Sequence, residues 1–564
     1  MKPVAEVAVV QAADRASAEA GVPVAVLMGR AGAAVAAAGR ELAGGAAGRR
    51  VVALAGKGHN GGDALEALAR LARRGAGAEA LVTHAPEELG EEERRCVRLV
   101  EAAGGRVRLF EPELAARLLD GADLVIDGLL GTGASGAPRG AAAAAISAIG
   151  AARRPVVAVD IPSGVDGATG AVAGEAVDAD VTVTFQAVKP GQLQPPGSGL
   201  VGRLVVADIG LPIGDSPWGV SEAADLVGLV PVPRGELHKR SRGVLLAIGG
   251  SSGMAGAPTL MGMAARRAGA GLLVLAVPAS VAARVGAAVP EALTVALPEA
   301  DGGITPDAVD ACARWLDEAS ALALGPGLGR STATGDAVRA LLTRYQGPAV
   351  VDADGLFALG HGGGSGGLKS EAPTQEVRNQ LEPSGSPPVD KGSGGLKSEA
   401  PTPAVGGRLE PSGSPPVNRL LAGRKGATLL TPHEGEFARL APDVEGTRLH
   451  RAADRARAWG ATVLLKGNNT VIAEPDGRLA VNPTGVPALA SGGTGDVLTG
   501  LTGALLCQRL SGFDAARLGA WVHGRAAALA TRDLGPVSVG ASDVAEHLPA
   551  AFVELLSTRP RTGR

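Results

Sequence analysis

The feature that most constrains this chain is a repeated unit: a short apolar run, a Gly-rich turn, then a stretch rich in Ala, Leu and Arg. The runs include VVALAG (51–56), DLVIDG (123–128), PVVAVDIPSG (155–164), VTVTFQ (181–186) and RLVVADIG (203–210), and helix-like stretches such as 64–74 alternate with the first few. Apolar strands alternating with helices require a mostly parallel sheet covered on both faces. A second series starts at GVLLAIGG (243–250) and continues with GLLVLAVP (271–278), ALALGPG (321–327), PAVVDADG (348–355), ATLLTPH (427–433) and ATVLLKG (461–467). The stretch between the two series, 211–243, is rich in Pro, Gly and charge and marks a boundary. The expected class is therefore α/β, with one domain over 1–215, a linker over 216–235 and a second domain over 236–558.

Composition narrows the function classes. Apolar residues make up 46% and charged residues 20%, which supplies enough core and excludes general disorder. Aromatics are only 2%, so the cores are built from Ala, Val and Leu, and platforms for stacking bases are disfavoured. A net charge of −3 gives no electrostatic case for nucleic acid or an anionic membrane. Cys96, Cys312 and Cys507 stand far apart with no CxxC, which supports neither a disulfide framework nor a structural zinc site. The first 21 residues mix charge with apolar residues and read as an amphipathic helix rather than a signal peptide. The stretch 268–283 is too short for a membrane span and contains Pro278. A soluble, cytoplasmic protein acting on small molecules, assembled as a homo-oligomer, is expected.

One segment breaks the pattern. Residues 364–391 and 392–419 are tandem copies with a 28-residue period, sharing GSGGLKSEAPT and LEPSGSPPV. Residues 361–417 hold 12 Gly, 9 Pro and 8 Ser, a composition that buries too little apolar surface to offset its ordering entropy. It reads as a flexible loop inserted into the second domain, which tolerates it because loop-closure entropy grows slowly with length.

The first candidate site gathers three strand ends. AGKGHNGGD (55–63) is a Gly-rich turn from strand to helix, with the helix placed near Asp63, so that backbone N–H groups and the helix dipole face an anion. DGLLGTGASGAPRG (127–140) and DIPSGVDGATG (160–170) follow two further strands. Ligands of open parallel sheets sit at such carboxyl ends. Asn60, Asp127 and Ser163 offer hard oxygen ligands for a cation, and Asp160 suits acid–base work.

LMGRAG (27–32), GHNGGD, DGLLGTG and VDIPSG together resemble the N-terminal domain of NAD(P)H-hydrate epimerases, a Rossmann-like three-layer fold. That family's pattern usually reads N-N-G-G-D-G; His59 and Ala64 stand at its first and last positions. The resemblance implies K⁺ held by Asn60, Asp127 and Ser163. It implies hydrated nicotinamide dinucleotide against His59, Asn60, Gly61, Gly62 and Asp63, against Gly131, Thr132, Gly133, Ala134, Ser135, Gly136 and Ala137, and against Asp160.

The second site centres on NPTGVPALASGGTGDVLTGLTGALL (482–506). Its Gly/Thr run puts free backbone N–H groups at the start of a helix with apolar residues at helical spacing, which makes an anion hole. Asp496 stands at that terminus. A lone Asp there is a cap, but an acid beside a phosphate hole can also take a proton from a hydroxyl receiving a phosphoryl group. Lys466 in KGNNT (466–470) can meet phosphate charge, and GGSSGMAGAP (249–258) and GPGLG (325–329) are further Gly-rich strand ends. His433 in TPHEGEF (431–437) sits at a strand-to-helix junction, as a site residue or a buried cap.

HKRSRG (238–243), GAGLL (269–273), PEAL (290–293), GPGLG, DADGL (352–356), TPHEGEF, KGNNT and SGGTGDVLTG, in that order, resemble the ADP-dependent NAD(P)H-hydrate dehydratase domain, which is ribokinase-like. Phe357 stands where that family commonly has Asn. The resemblance implies hydrate contacts at Ala257, Gly327, His433 and Asp496, with Asp496 as base. It implies nucleotide contacts at Lys466, Gly467, Asn468, Asn469, Thr470 and Gly495, with ADP and Mg²⁺ as cofactors. The expected activity is repair: one half interconverts the R and S forms of hydrated NADH or NADPH, and the other restores the S form using ADP. The anion hole and Asp496 alone also fit a small-molecule kinase, and the departures at His59 and Phe357 also fit a non-catalytic nucleotide binder.

Overall fold

The computed structural model describes residues 1–233, 235, 240–360 and 417–559. The first series of apolar runs becomes a seven-stranded, fully parallel sheet. Its order is Arg106–Leu109, Gly77–Val82, Arg50–Ala55, Leu124–Gly128, Val156–Val159, Val181–Phe185, Arg203–Ala207. Strand residues alternate between faces, and both faces are covered, so the runs are apolar throughout. Val51, Ala53 and Ala55 pack beneath the helices Val24–Leu42 and His59–Ala72, while Val52 and Leu54 face the opposite core. The chain winds outward from Arg50–Ala55 in one direction and then, from Leu124–Gly128, in the other. The crevice between these two strands is the topological switch point, where such sheets bind ligands.

The second series forms an eleven-stranded mixed sheet. Seven neighbours are parallel, from Thr462–Leu465 through Thr428–Leu430, Ala349–Val351, Ala321–Leu324, Val244–Ile248 and Leu272–Pro278 to Leu293–Leu297. An antiparallel hairpin, Thr470–Ala473 and Leu479–Asn482, extends it at one end. Leu245 and Ala247 contribute to the core under Thr494–Cys507 and Gly512–Leu534, and Val244, Leu246 and Ile248 to the core on the other face. Here the switch lies between Val244–Ile248 and Ala321–Leu324.

Three sequence expectations shift. The stretch 216–235 carries a strand, Trp218–Val220, paired with Leu479–Asn482 on one side and with Lys2–Pro3 on the other. The first residues thus belong to the second sheet and not to the 1–215 unit; a two-residue edge pairing has no local periodicity to betray it. The helix after Ala55 starts at His59, four residues before Asp63, because Gly58 at φ +115° supplies the turn. The last three residues of the second copy, 417–419, open the helix Val417–Ala422, with Val417 buried, while 361–416 lies outside the described residues, as do His238 and Lys239. Among the described residues, no helix is long and apolar enough to cross a membrane.

Candidate active sites

At the first switch point the two turns touch. A Cβ on Gly56 would lie 1.9 Å from the Leu129 carbonyl oxygen, so only glycine permits this approach. The crevice opens into a cavity of about 510 Å³ lined by His59, Asn60, Asp63, Gly131, Thr132, Gly133, Ala134 and Asp160 of the expected set. The helix Val7–Glu19 closes it with Val10, Gln11 and Asp14. Ser135 and Gly136 line a smaller adjoining cavity of about 80 Å³. Gly61 and Gly62 serve packing: a Cβ on Gly61 would strike the Gly56 carbonyl at 2.1 Å, and one on Gly62 the Met28 methyl at 2.5 Å. Ala137 packs near Gly174 instead. His59 is 60% exposed, with Nδ1 3.9 Å from Asp14.

Asp160 is held on every side. Its backbone takes φ +62°, a left-handed conformation uncommon outside glycine, and its carbonyl accepts from Gln192 Nε2 at 2.6 Å. Oδ1 accepts from Lys189 Nζ at 2.5 Å, from Thr184 Oγ1 at 3.0 Å and from the Phe185 amide at 3.3 Å. Lys189 is fully buried. Asp63, on the same cavity, is buried, and that burial together with the charges of Asp160, Asp14, Glu66 and Glu93 pushes its carboxyl well above the usual carboxylate range. Two carboxyl groups of one cavity thus sit in different surroundings, one held by the Lys189 ammonium and the other buried among carboxylates.

Asn60, Asp127 and Ser163 come together beneath this cavity. Ser163 donates its hydroxyl to Asp127 Oδ1 at 2.6 Å and its amide to Oδ2 at 2.8 Å, Leu130 N donates to Ser163 Oγ at 2.9 Å, and Asn60 Nδ2 donates to Leu130 O at 2.9 Å. Asp127 is wholly buried, and that burial lifts its carboxyl to about 6 against the lowering by Ser163. A carboxylate, a hydroxyl, an amide and a carbonyl form a hard oxygen set with no cationic side chain in it. That set fits a monovalent or alkaline-earth cation better than a soft metal.

In the second half, Gly493 at φ +88° starts the helix Thr494–Cys507 and leaves its first N–H groups free. Burial first and then the charge of Asp352 lift the Asp496 carboxyl to about 7 against the pull of Lys466. Lys466 is engaged elsewhere, at 2.7 Å from Asp352 Oδ1 and 3.6 Å from Glu436 Oε2. Asp352, almost fully buried, also accepts from Thr499 Oγ1 at 2.8 Å. His433 caps the helix Glu434–Leu440 through Nδ1, which accepts from the amides of Gly435 and Glu436, but its side chain is 55% exposed, so it is not a buried cap. Ala257 and Gly327 abut: a Cβ on Gly327 would lie 2.9 Å from the Ala257 methyl. Phe357 lies under the Arg330 guanidinium at 4.9 Å.

Lys466, Gly467, Asn468, Thr470 and Gly495 line one cavity of about 460 Å³ together with Thr494, Asn482, His523 and an apolar wall of Val486, Pro487, Leu489 and Leu498. Asn469 is not on it. Its Nδ2 instead donates to Leu193 O at 3.1 Å, joining this loop to the turn that carries Lys189 and Gln192 in the other half. Asp496 is also not a lining residue; its Oδ2 lies 3.9 Å from where a Cβ on Gly493 would stand.

Comparison with known proteins fits this two-site layout. Residues 24–191 match the model of the YjeF-related protein N-terminus, and residues 245–364 and 416–550 match that of NAD(P)H-hydrate dehydratase, leaving most of the repeat unmatched. The bifunctional NAD(P)H-hydrate repair enzyme Nnr of Moorella thermoacetica is 38% identical over 95% of this chain and 93% of its own length. The chain belongs to the bifunctional NAD(P)H-hydrate repair enzyme family. The Mycobacterium leprae and Salinibacter ruber members are 37% and 34% identical, covering 92% and 98% of this chain and 92% and 96% of their own lengths. A solved ADP/ATP-dependent NAD(P)H-hydrate dehydratase from Bacillus subtilis, crystallised with ATP/Mg²⁺, is 26% identical over 60% of this chain and 98% of that one, with a TM-score of 0.43. The chain is thus an enzyme with an epimerase half and a dehydratase half. The small-molecule kinase and the non-catalytic binder are not favoured, since the family match covers both halves together.

Three side chains of these sites were not singled out from sequence. Lys189 follows the run VTVTFQ, and only its burial against Asp160 marks it. Asp352 lies in DADGL, a motif noted for resemblance alone. His523 sits inside the long helix Gly512–Leu534, where nothing in the sequence distinguishes it from a core position.

Proposed function

We propose that the 510 Å³ cavity is where the R and S hydrates of NADH or NADPH interconvert, and that the 460 Å³ cavity takes the ADP that drives dehydration of the S form. Asp160 and Asp63 form the acid–base pair of the first site. Lys189 pairs directly with Asp160, and burial raises the Asp63 carboxyl. One group can then protonate a departing hydroxyl while the other takes a proton from the water that returns on the opposite face. His59, Asn60 and the 131–137 turn hold the dinucleotide. Asn60, Asp127, Ser163 and the Leu130 carbonyl would hold K⁺, whose charge would offset the buried Asp127 carboxylate.

In the second half the difficulty is the leaving group. Hydroxide departs poorly and phosphate departs well. Asp496 takes the proton of the substrate hydroxyl as the terminal phosphoryl group of ADP passes to its oxygen, leaving AMP. Loss of phosphate from that carbon then restores NAD(P)H. The 492–495 amides face the transferred charge, and Lys466 sits beside them, 3.5 Å from where a Cβ on Gly495 would stand. Ala257, Gly327 and His433 form the hydrate side of this site. Among the described residues, no three His, Cys, Asp or Glu side chains gather to hold a metal ion. Mg²⁺ therefore fits here as an ion carried largely by the nucleotide phosphates, where it supplies charge neutralisation.

The observation that carries this reading is the Asp496 carboxyl, without a hydrogen-bond or ion-pair partner among the described residues and lifted to about 7 at the start of the helix Thr494–Cys507. The test is recovery of 340 nm absorbance from racemic hydrate. Full recovery with ADP, none without it, and AMP and phosphate as products support the reading. A released phosphorylated alcohol with no NAD(P)H overturns it.

A further inference from the structure

The reaction just described uses Asp496 but leaves a second buried carboxyl group beside the same helix start without a role. Asp352 is 1% exposed and follows the central strand Ala349–Val351. Burying a carboxylate is unfavourable unless a counter-charge and hydrogen bonds meet its oxygens. Both oxygens of Asp352 are met, by side chains from two other elements. Oδ1 accepts from Lys466 Nζ at 2.7 Å, just past the strand Thr462–Leu465. Oδ2 accepts from Thr499 Oγ1 at 2.8 Å, inside the helix Thr494–Cys507. A Cβ on Gly495 would stand 3.5 Å from Asp352 Oδ2 and 3.5 Å from Lys466 Nζ, so the pair lies against the first turn of that helix.

This one side chain governs where the ammonium goes. Asp352 holds Lys466 at 2.7 Å and Glu436 stands 3.6 Å from it, whereas Asp496 feels its charge but makes no ion pair with it among the described residues. Asp352 is also the more deeply buried of the two partners, at 1% exposed against 8% for Glu436, and a desolvated carboxylate gains most from a counter-charge. The consequence falls on Asp496. An acid that must take up a proton is a poor base when an ammonium sits on it, because an opposite charge at contact distance lowers a carboxyl pKa by about 1–3 units.

We infer that Asp352 is a positioning residue for dehydration: it anchors the Lys466 ammonium beside Gly495 and out of contact with Asp496, so that one group meets phosphate charge while the other stays free to take the proton. This rests on the proposed role of Asp496 as the base. The charged groups that face Asp496 are Asp352, Lys466 and Asp354, and Asp354 is itself paired with Arg330 at 2.9 Å. Glu436 stands on Lys466, and His523, which burial holds neutral with a pKa of about 4, lines the same cavity. Neutralising Asp352 therefore removes one carboxylate from around Asp496 and releases the ammonium toward it. Both changes favour the ionised form of Asp496 at lower pH.

The test is the pH profile of kcat for the full chain, read as 340 nm recovery from the S hydrate at saturating ADP. Asp352→Asn keeps an oxygen for Thr499 and leaves Glu436 beside Lys466. Its midpoint is expected to fall by about 1–3 pH units below that of the unaltered protein, and its plateau rate by roughly tenfold, since a weaker base takes a proton less readily. A residue that only supported the fold would lower the rate without moving the midpoint. Thr499→Val removes a hydrogen bond to Asp352 but no charge, and its midpoint is expected to stay in place. Should Asp352→Asn fail to fold, Asp352→Asn combined with Lys466→Met buries no unpaired charge and gives the reading: its plateau kcat is expected within about threefold of that of Lys466→Met alone, because Asp352 acts through the ammonium. An unmoved midpoint in Asp352→Asn, an equal shift in Thr499→Val, or a double variant a further tenfold below Lys466→Met overturns the inference. Full turnover by Asp496→Asn would instead overturn the base assignment on which it rests.

Discussion

Each half presents a carboxylate near the carboxyl ends of a parallel sheet, and each has a lysine close by, but the lysine does opposite work. In the first half Lys189 bonds Asp160 directly at 2.5 Å, and the pair is supported by Thr184, Phe185 and Gln192. In the second, Lys466 is drawn to Asp352 at 2.7 Å, and Asp496 keeps a raised carboxyl of about 7. An ion pair fixes a charge and its position. An unpaired, partly desolvated carboxylate stays hungry for a proton near neutrality. A reversible epimerisation needs a fixed constellation serving both faces of a ring. A phosphoryl transfer needs a base that takes up one proton at one moment.

That contrast can be broken most sharply by removing one carboxylate at a time. Asp496→Asn is expected to reduce ADP-driven recovery of 340 nm absorbance by about 10²–10⁴-fold, the usual loss on removing a general base. Interconversion of the two hydrates, followed by chromatography, should continue. Asp160→Asn should do the reverse: recovery from racemic hydrate stalls at about half, because only the S form is consumed and its replenishment slows by roughly 10²-fold. This second variant also leaves Lys189 buried without its counter-charge, so a lower Tm should accompany the loss. Full recovery at the normal rate from Asp160→Asn would remove that residue from the chemistry.

The next effect is one of pH. A base must be deprotonated, so the rate of ADP-driven dehydration should rise as pH increases through about 7. A profile flat from pH 5 to 9 would contradict the role of Asp496. A smaller effect concerns the cation set. Asp127 holds its proton more tightly in the folded state, about 6 against 3.8 for an ordinary carboxyl. Its contribution to stability is therefore present below pH 3.8 and lost as pH rises through about 6. Adding K⁺ at pH 7 should raise the Tm by a few degrees relative to a large organic cation, and Asp127→Asn should abolish that difference. The smallest expected change is His59→Asn. With a side chain 60% exposed, it should alter epimerisation by no more than about threefold.

Local sequence determined a great deal. The apolar runs at 51–56, 123–128 and 243–250 became central parallel strands, because a chain segment that must face two cores has no polar positions to spare. The Gly-rich runs that follow them became the switch-point turns, because backbone approaches as close as that of Gly56 to Leu129 admit no side chain. His59, Asn60, Asp63, Asp160, Lys466 and Gly495, named from such turns, all line one or the other cavity. Only the tertiary structure decided which charges meet. Lys466 and Asp352 are 114 residues apart, and Lys189 and Asp160 are 29 apart. His523 hides in a helix whose other inward positions are ordinary core. The pairing of Lys2–Pro3 with Trp218–Val220 joins distant segments through hydrogen bonds between backbones of any sequence. Hydrophobic periodicity is written along the chain, whereas the ionisation of a buried group is set by neighbours that folding brings from far away.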